Sequence, residues 1–317
     1  MQIILAKPRG FCAGVTRAIE TVELAIKKFG TPVYVRHEIV HNKFVVDDLK
    51  NKGAIFVDEI NQIPLEASAV VFSAHGVSDA VEKEARQRGF LVIDATCPLV
   101  SKVHRSAKQY EELGYQIILI GHKGHPEVEG TSGRVEKPII LVTSEEEARI
   151  VEINPNQKTA FVTQTTLSVD ETNVIVKILQ QRFNNIENAV ATKDICYATQ
   201  NRQDAVREIA KNVDLILVVG SQNSSNSNRL RDLAEKSGVK AFLIENVNDL
   251  QESWFVDIDK VGITAGASAP EVLVQALIEK IRLISCQNSR QSFEVADFNG
   301  VTENVVFALP RQVRNGQ

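Results

Sequence analysis

Gly10-Phe11-Cys12-Ala13-Gly14, Asp94-Ala95-Thr96-Cys97-Pro98 and Asp194-Ile195-Cys196-Tyr197-Ala198 are three short stretches built alike. Each places one cysteine where an apolar strand pattern gives way to an amphipathic helical one, at 18–29, 100–113 and 203–213. Further along, an apolar strand ends in a polar loop that holds His41, His125 or Ser225, at offsets of 29, 28 and 29 from the cysteine. A second such loop holds His75, Thr165 or Ser268, at offsets of 63, 68 and 72. A period of about ninety residues is longer than most solenoid repeats and suits three small α/β units. Three equivalent thiols on three such units can meet on a pseudo-threefold axis, which points to a metal centre with three protein ligands.

The chain of 317 residues has room for two or three small domains with their own cores. Its composition is that of a globular protein, 44% hydrophobic and 24% charged. A net charge of −4 excludes a strongly basic nucleic-acid binder. No apolar run approaches the roughly eighteen residues of a membrane span. The start, Met1 to Pro8, reads as a short strand, without the basic flank and long apolar stretch of a signal peptide. The expectation is a cytoplasmic protein, whose cysteines stay reduced unless they bind metal.

Short, nearly continuous apolar runs at 32–35, 70–73, 91–94, 116–120, 139–142, 159–163, 215–219, 241–244 and 261–265 read as parallel strands covered on both faces. Helical patterns lie between them, so the fold class is α/β with parallel sheets. The expected units are 13–97, 98–195 and 196–282. Residues 1–12 supply an N-terminal strand, and 283–317 a C-terminal tail that packs on the body. Within that tail 304–309 is strand-like.

Ligands of open parallel sheets sit at the C-terminal ends of the strands, and the unusual polar residues cluster there. His41, His75 and His125 occupy such loops, suited either to zinc or to an anion. His37 and His122 read as supporting residues, and His104, inside a helical pattern, as a surface residue. Glu127 follows His125-Pro126 in a loop bracketed by Gly124 and Gly130. It is either a solvated surface carboxylate or a proton donor, the latter if burial raises its pKa. Thr165 reads as a proton relay or a strand-end cap. Ser221 to Asn228 is rich in hydroxyl and amide side chains, more than helix capping requires. With Ser268 ahead of Pro270, it suggests helix N-termini that bind phosphate oxygens. Neither a phosphate-binding P-loop nor a dinucleotide fingerprint is present.

A cysteine at a helix N-terminus favours the thiolate, which is the ligand form. Buried inert thiols are the alternative. Cys-only ligation suits zinc or an iron–sulfur cluster. The paired Cys-x-x-Cys knuckles of structural zinc sites are missing. Three distant cysteines fit three corners of a cubane, leaving one iron open to substrate; electron-transfer clusters typically use four. Cys286 starts no helix pattern and is followed by the polar run 287–292, so it reads as a non-ligand.

Over nearly its whole length the chain resembles the LytB/IspH family of 4-hydroxy-3-methylbut-2-enyl diphosphate reductases. The matching motifs are Pro-Arg-Gly-Phe-Cys-Ala-Gly-Val (8–15), Val-Arg-His-Glu-Ile-Val-His-Asn (35–42), Phe-Ser-Ala-His-Gly-Val (72–77), Asp-Ala-Thr-Cys-Pro-Leu-Val (94–100), Gly-His-Pro-Glu-Val-Glu-Gly (124–130), Thr-Gln-Thr-Thr-Leu-Ser (163–168), Asp-Ile-Cys-Tyr-Ala-Thr (194–199), Ser-Ser-Asn-Ser-Asn-Arg-Leu (224–230) and Thr-Ala-Gly-Ala-Ser-Ala-Pro (264–270). The resemblance weakens after about Ile284 and does not include Cys286.

The resemblance implies a trefoil of three α/β units around a [4Fe–4S] cluster, with Cys12, Cys97 and Cys196 as ligands and one open iron. It assigns His41, His75, His125, Ser224, Ser225, Asn226 and Ser268 to a diphosphate pocket. It makes Glu127 the proton source and sets Thr165 beside the substrate hydroxyl. The implied reaction removes that hydroxyl with two electrons and two protons, giving isopentenyl and dimethylallyl diphosphate, and the implied electron donor is ferredoxin or flavodoxin. Two other readings of the residues compete: a zinc hydrolase with His41, His75 and His125 as ligands, and a non-catalytic binder of phosphorylated metabolites.

Overall fold

The computed structural model describes residues 1–186, 193–287 and 293–314. In chain order these form β1 (Gln2–Leu5), α1 (Ala13–Phe29), β2 (Val33–Arg36), α2 (Lys43–Asn51), β3 (Ala54–Val57), β4 (Ala69–Phe72), α3 (Asp79–Gln87), β5 (Leu91–Asp94), α4 (Pro98–Glu112) and β6 (Gln116–Ile120). There follow α5 (Pro126–Ser132), β7 (Ile140–Val142), α6 (Glu145–Ile150), β8 (Thr159–Thr163), α7 (Val169–Arg182), α8 (Tyr197–Ala210), β9 (Leu215–Val219), α9 (Ser225–Lys236), β10 (Lys240–Ile244), β11 (Lys260–Ala265), α10 (Glu271–Gln287) and β12 (Glu294–Asp297). Three sheets result, in the orders β10-β9-β11-β1-β12, β3-β2-β4-β5 and β7-β6-β8. Every pairing between these strands is parallel.

The chain divides into two compact units. One comprises Met1–Ala13, His41–Val45 and Tyr197–Val306. It holds the five-stranded sheet, whose central strands are covered on both faces. On one face Leu217 and Ile263 meet Leu277 and Ile281 of α10. On the other Ile216 and Val218 meet Val206 and Ile209 of α8 and Leu230 of α9. Double coverage is why β9 is five apolar residues in a row and buried at each of them.

The other unit comprises Gly14–Val40, Val46–Cys196 and Phe307–Gln317. One of its sheets packs Val70, Phe72 and Val92 on Ile60, Ile63 and Ala85. The other sets Ile118, Ile120 and Phe161 against Ile175 and Leu179 of α7, and Ile117, Leu119 and Val162 against Val103 and Ala107 of α4. Serine caps open several helices here: Ser78, Ser144 and Ser168 each accept from the backbone N–H three residues on.

Several expectations change. β3 is an edge strand with only Ala54 buried, and it was missing from the apolar runs. β12 has two acidic residues in four and is exposed throughout. It exists because it pairs with β1 along Gln2↔Glu294 to Leu5↔Asp297. β1 thereby becomes an interior strand of its sheet, between β11 and β12. Asn304–Leu309, read as strand-like, pairs with no strand among the described residues; the Ala308 carbonyl is met instead by the Arg17 side chain at 2.8 Å, and Val306 is exposed. Cys286 lies exposed near the end of α10, so a helix precedes it. The polar run after it lies, from 288 on, outside the described residues.

His104 is buried in α4, not on the surface. Its ring lies over Gly76, where an added Cβ would come within 2.5 Å of His104 Cε1. Burial, with Arg134 nearby, pushes the imidazole down to about 4, so it stays neutral. Gly76 also has a left-handed φ of 80°. Gly76→Ala is therefore expected to lower stability by on the order of 2 kcal/mol, from backbone strain and overpacking together. Urea denaturation of the metal-free chain measures this; a midpoint equal to that of the parent chain would contradict it.

Candidate active site

Each of the three cysteines immediately precedes a helix: Cys12 before α1, Cys97 before α4 and Cys196 before α8. Among the described residues, only Cys97 of the three closely follows a strand. β1 ends at Leu5, well before Cys12, and residues 193–195 ahead of Cys196 form bends. All three are partly exposed thiols outside any disulfide.

One local device recurs at all three. The Cys97 N–H donates to Ala74 O at 3.0 Å, the Cys196 N–H to Thr165 O at 3.1 Å, and the Cys12 N–H to Ala267 O at 3.2 Å. Each acceptor is at, or next to, a candidate residue: His75, Thr165 and Ser268. The offsets counted forward from each cysteine had grouped Cys12 with His75. The bonds instead tie Cys97 to the His75 loop, because β5 lies beside β4 in the sheet.

In the unit holding Cys97 and Cys196, this bonding draws four further candidates together. The rings of His75 and His125 meet edge to face with centroids 5.8 Å apart. His75 Nδ1 shares a contact with Ser73 Oγ at 3.3 Å. His125 caps α5 through Nδ1, which accepts from the Glu127 N–H at 3.1 Å. With Nδ1 an acceptor, the neutral ring carries its proton on Nε2 and can donate there. Glu127 is buried in the first turn of α5. Its carboxyl accepts from the Thr165 N–H at 2.7 Å and from Thr165 Oγ1 at 3.0 Å.

Those two bonds favour the carboxylate, yet burial outweighs them, and the Asp194 charge adds to burial. The net effect raises Glu127 to about 7. The exposed-carboxylate reading of Glu127 is thereby ruled out. Asp194 is itself raised by burial, against Lys102 and the Thr163 N–H. His122 supports the same loop, through its N–H and Nδ1 to Gln164 Oε1 at 3.0 and 3.1 Å. His37 lies at a left-handed φ of 59° after β2 and is lowered, chiefly by burial.

In the unit holding Cys12, the serine- and asparagine-rich run forms the N-terminus of α9. Ser224 is the cap: its Oγ accepts from the Ser227 N–H at 3.3 Å and from Ser227 Oγ at 3.0 Å. Its own hydroxyl proton is left to donate elsewhere. Ser225 and Asn226 are the first residues of α9. Asn226 is buried, and among the described residues neither its Oδ1 nor its Nδ2 has a hydrogen-bond partner. A buried amide left without a partner costs about 1–3 kcal/mol, so such a group is one that water or a ligand can satisfy. Gly220 and Gly266 let α9 sit this close to the strand ends; a Cβ on either would lie 2.2 or 2.0 Å from Ser227 Oγ. Ser268 donates to the His41 carbonyl at 2.9 Å. Next to His41, buried Asn42 caps α2 by accepting from the Val45 N–H at 3.2 Å.

The sequence reading missed Arg202 and Tyr197. Arg202 is fully buried on the apolar stripe of α8, between Ala198 and Val206, and an arginine on such a stripe was the available signal. Tyr197, directly after Cys196, is pushed up to about 12 by burial and then by the charge of Cys12. Among the described residues no three His, Cys, Asp or Glu side chains are placed to hold a single metal ion. A four-iron cluster is an extended body and does not require that convergence. A set of partly exposed thiols outside any disulfide, each at a helix start, fits its chemistry. No helix among the described residues is long and apolar enough to cross a membrane.

The LytB protein family profile matches residues 3–282. A 4-hydroxy-3-methylbut-2-enyl diphosphate reductase of Acinetobacter baumannii is 53% identical over 318 residues, covering 99% of this chain and 98% of the relative. The enzyme of the same name from Pseudomonas putida strain GB-1 is also 53% identical, with the same coverage. Among solved structures, the E-1-hydroxy-2-methyl-but-2-enyl-4-diphosphate reductase of Plasmodium falciparum superposes with a TM-score of 0.91 at 38% identity, over 99% of this chain and 96% of that one. An (E)-4-hydroxy-3-methyl-but-2-enyl diphosphate reductase, described as the terminal enzyme of the non-mevalonate pathway, gives 0.64 at 32%, over 89% and 99%. Likeness of this extent makes the protein an oxidoreductase of the α/β trefoil class. The chain belongs to the LytB family, a family of iron–sulfur reductases.

The raised Glu127 carboxyl has a consequence for folding. The folded chain keeps a proton that the unfolded chain releases near 4.5, so this group's contribution to stability falls as pH rises from about 4.5 through about 7. Glu127→Gln keeps both contacts with Thr165 and has nothing to ionise. In the metal-free chain the variant is expected to gain on the parent between pH 5 and pH 8, by up to about 3 kcal/mol. Urea midpoints across that range test this, and a difference that does not grow with pH contradicts it.

Proposed function

We propose that the chain reduces 4-hydroxy-3-methylbut-2-enyl diphosphate, breaking the allylic C–O bond with two electrons and two protons. Water leaves, and isopentenyl and dimethylallyl diphosphate form. The proposal rests on membership of the LytB family together with one observation, the Glu127 carboxyl buried and held on Thr165, where burial raises its pKa.

Cys12, Cys97 and Cys196 are the residues that would hold a [4Fe–4S] cluster, leaving one iron without a protein ligand. When bound, the cluster supplies the electrons and a Lewis-acidic iron. Cys286, exposed on α10, is not a ligand in this reading. The three expected units, 13–97, 98–195 and 196–282, would each contribute to the surroundings of that cluster. The recurrence of the same amide-to-carbonyl bond at each cysteine supports this.

Glu127 is the general acid. A carboxyl that titrates near the working pH can both hold and release its proton there. Thr165 Oγ1, bonded to Glu127 Oε2, would carry that proton toward the leaving hydroxyl and orient it. Asn226, Ser224 and Ser225 at the start of α9 would bind the diphosphate through side-chain donors and the helix N-terminus. His125 would donate through Nε2, and His41 and His75 would complete the pocket. Ser268 would join it by exchanging its bond to the His41 carbonyl for one to a phosphate oxygen. Diphosphate binding far from the reacting carbon would hold the hydroxyl in place for the chemistry. A ferredoxin or flavodoxin would deliver the electrons, and the reaction would run in the cytoplasm, where thiols stay reduced.

Anaerobic reconstitution, followed by iron and sulfide analysis and Mössbauer spectroscopy, tests the cofactor. Four irons, one of which changes signature with substrate, are expected; equimolar zinc without sulfide would return the hydrolase reading. Glu127→Gln is expected to keep cluster and substrate affinity while turnover with dithionite and a viologen dye drops about 10²- to 10⁴-fold. Unchanged turnover would remove Glu127 from the mechanism. Asn226→Ala should weaken pyrophosphate inhibition by about 1–3 kcal/mol, roughly ten- to a hundredfold. An unaltered inhibition constant would place the diphosphate elsewhere.

A further inference from the structure

All five N–H groups of the buried Arg202 are in use. Nη2 and Nε donate to the Gly10 carbonyl at 2.7 and 3.2 Å, and Nη1 donates to Ala198 O at 2.9 Å. Nη1 and Nη2 also grip the Glu303 carboxylate at 3.0 and 3.3 Å. Glu303 comes from the segment after β12. Its side chain is largely buried, and it accepts a further bond from Asn201 Nδ2 at 3.0 Å.

Gly10 stands two residues before Cys12, at a left-handed φ of 69°. An added Cβ there would press on the Ala269 carbonyl at 3.1 Å. The amides of this loop face the other way: the Gly10 N–H donates to Ala265 O and the Cys12 N–H to Ala267 O, each at 3.2 Å. The loop is thus held by its amides from the residues that end β11 and follow it, and by its Gly10 carbonyl from α8. Next to Gly10, Arg9 pairs with Asp297 of β12 and Glu271 of α10, each at 2.9 Å.

We propose that Arg202 and Glu303 form a strap that positions the Cys12 loop, making the segment beyond β12 part of the apparatus that holds the cluster. The inference rests on Cys12 being a cluster ligand, as read above. Glu303 lies past residue 282, where the family match ends, and neither residue falls in the motifs that carry the family resemblance. The reason for the pairing is electrostatic. A guanidinium can reach the Gly10 carbonyl only by leaving water, and a buried cation is tolerated only with a buried counter-charge. Glu303 supplies that charge. Both are positioning residues, acting on Cys12 through the Gly10 carbonyl.

Amide hydrogen exchange on the full-length, metal-free chain tests the strap without the cluster. Glu303→Ala should speed exchange at residues 10–13 about tenfold, while the amides of β6 and β8 keep their rates. If this variant opens everywhere, the double variant Arg202→Met/Glu303→Leu decides. Replacing both charges by apolar side chains removes the uncompensated cation, so global stability returns near that of the parent. The Gly10 carbonyl still lacks its donors, so exchange at 10–13 should stay fast. After anaerobic reconstitution the double variant should also lose iron to a chelator about tenfold faster than the parent, at an unchanged melting temperature. Parental exchange at 10–13 in the double variant overturns the proposal. Failure of the parent chain itself to take up a cluster counts against the cofactor reading instead, and is seen separately because exchange is measured without metal.

Discussion

In a parallel sheet each strand ends in a turn that must hand the chain to a helix, and adjacent strands end side by side. The chemistry of this protein depends on that geometry. The loop behind one strand offers a carbonyl, and the cysteine behind its neighbour answers with its amide. Cys97 does this with Ala74 across β5 and β4. Cys12 and Cys196 make the same amide-to-carbonyl bond with Ala267 and Thr165, although β1 ends well before Cys12 and bends precede Cys196. The bond satisfies a backbone donor that the start of a helix leaves unpaired. It also fixes each thiol relative to a second loop that carries a functional side chain.

Burial does the electrostatic tuning. Glu127 accepts two hydrogen bonds, and in water those would hold it ionised. Removal from solvent costs the charged form more than the bonds return, so the proton stays to about pH 7. Asn226 bears a different cost: its amide is removed from water with no partner among the described residues. Both are locally unfavourable. Unfavourable local choices of this kind are expected where a ligand completes the set.

The strand cores were legible because apolar runs covered on both faces need no partner to be recognised. The runs at 91–94, 116–120, 159–163 and 215–219 coincide with β5, β6, β8 and β9. The edges were not. β12, half acidic and fully exposed, is a strand only because β1 offers a free edge, whereas the more apolar 304–309 finds no edge to pair with. His104 looked like a surface residue because the period of α4 cannot reveal that Gly76 leaves room for an imidazole. Arg202 went unremarked for a similar reason. Its charge makes sense only beside Glu303, a hundred and one positions away.

The sequence by itself determined the α/β class, the parallel strands, the cysteines at helix starts and the family, since these follow from local pattern and motif identity. Tertiary structure alone decided which loop each cysteine is bonded to, that Glu127 is buried against Thr165, and that the Asn226 side chain is buried with no partner among the described residues. Register, solvent exclusion and the meeting of distant groups depend on how elements pack, and packing is set by contacts between residues far apart in the chain.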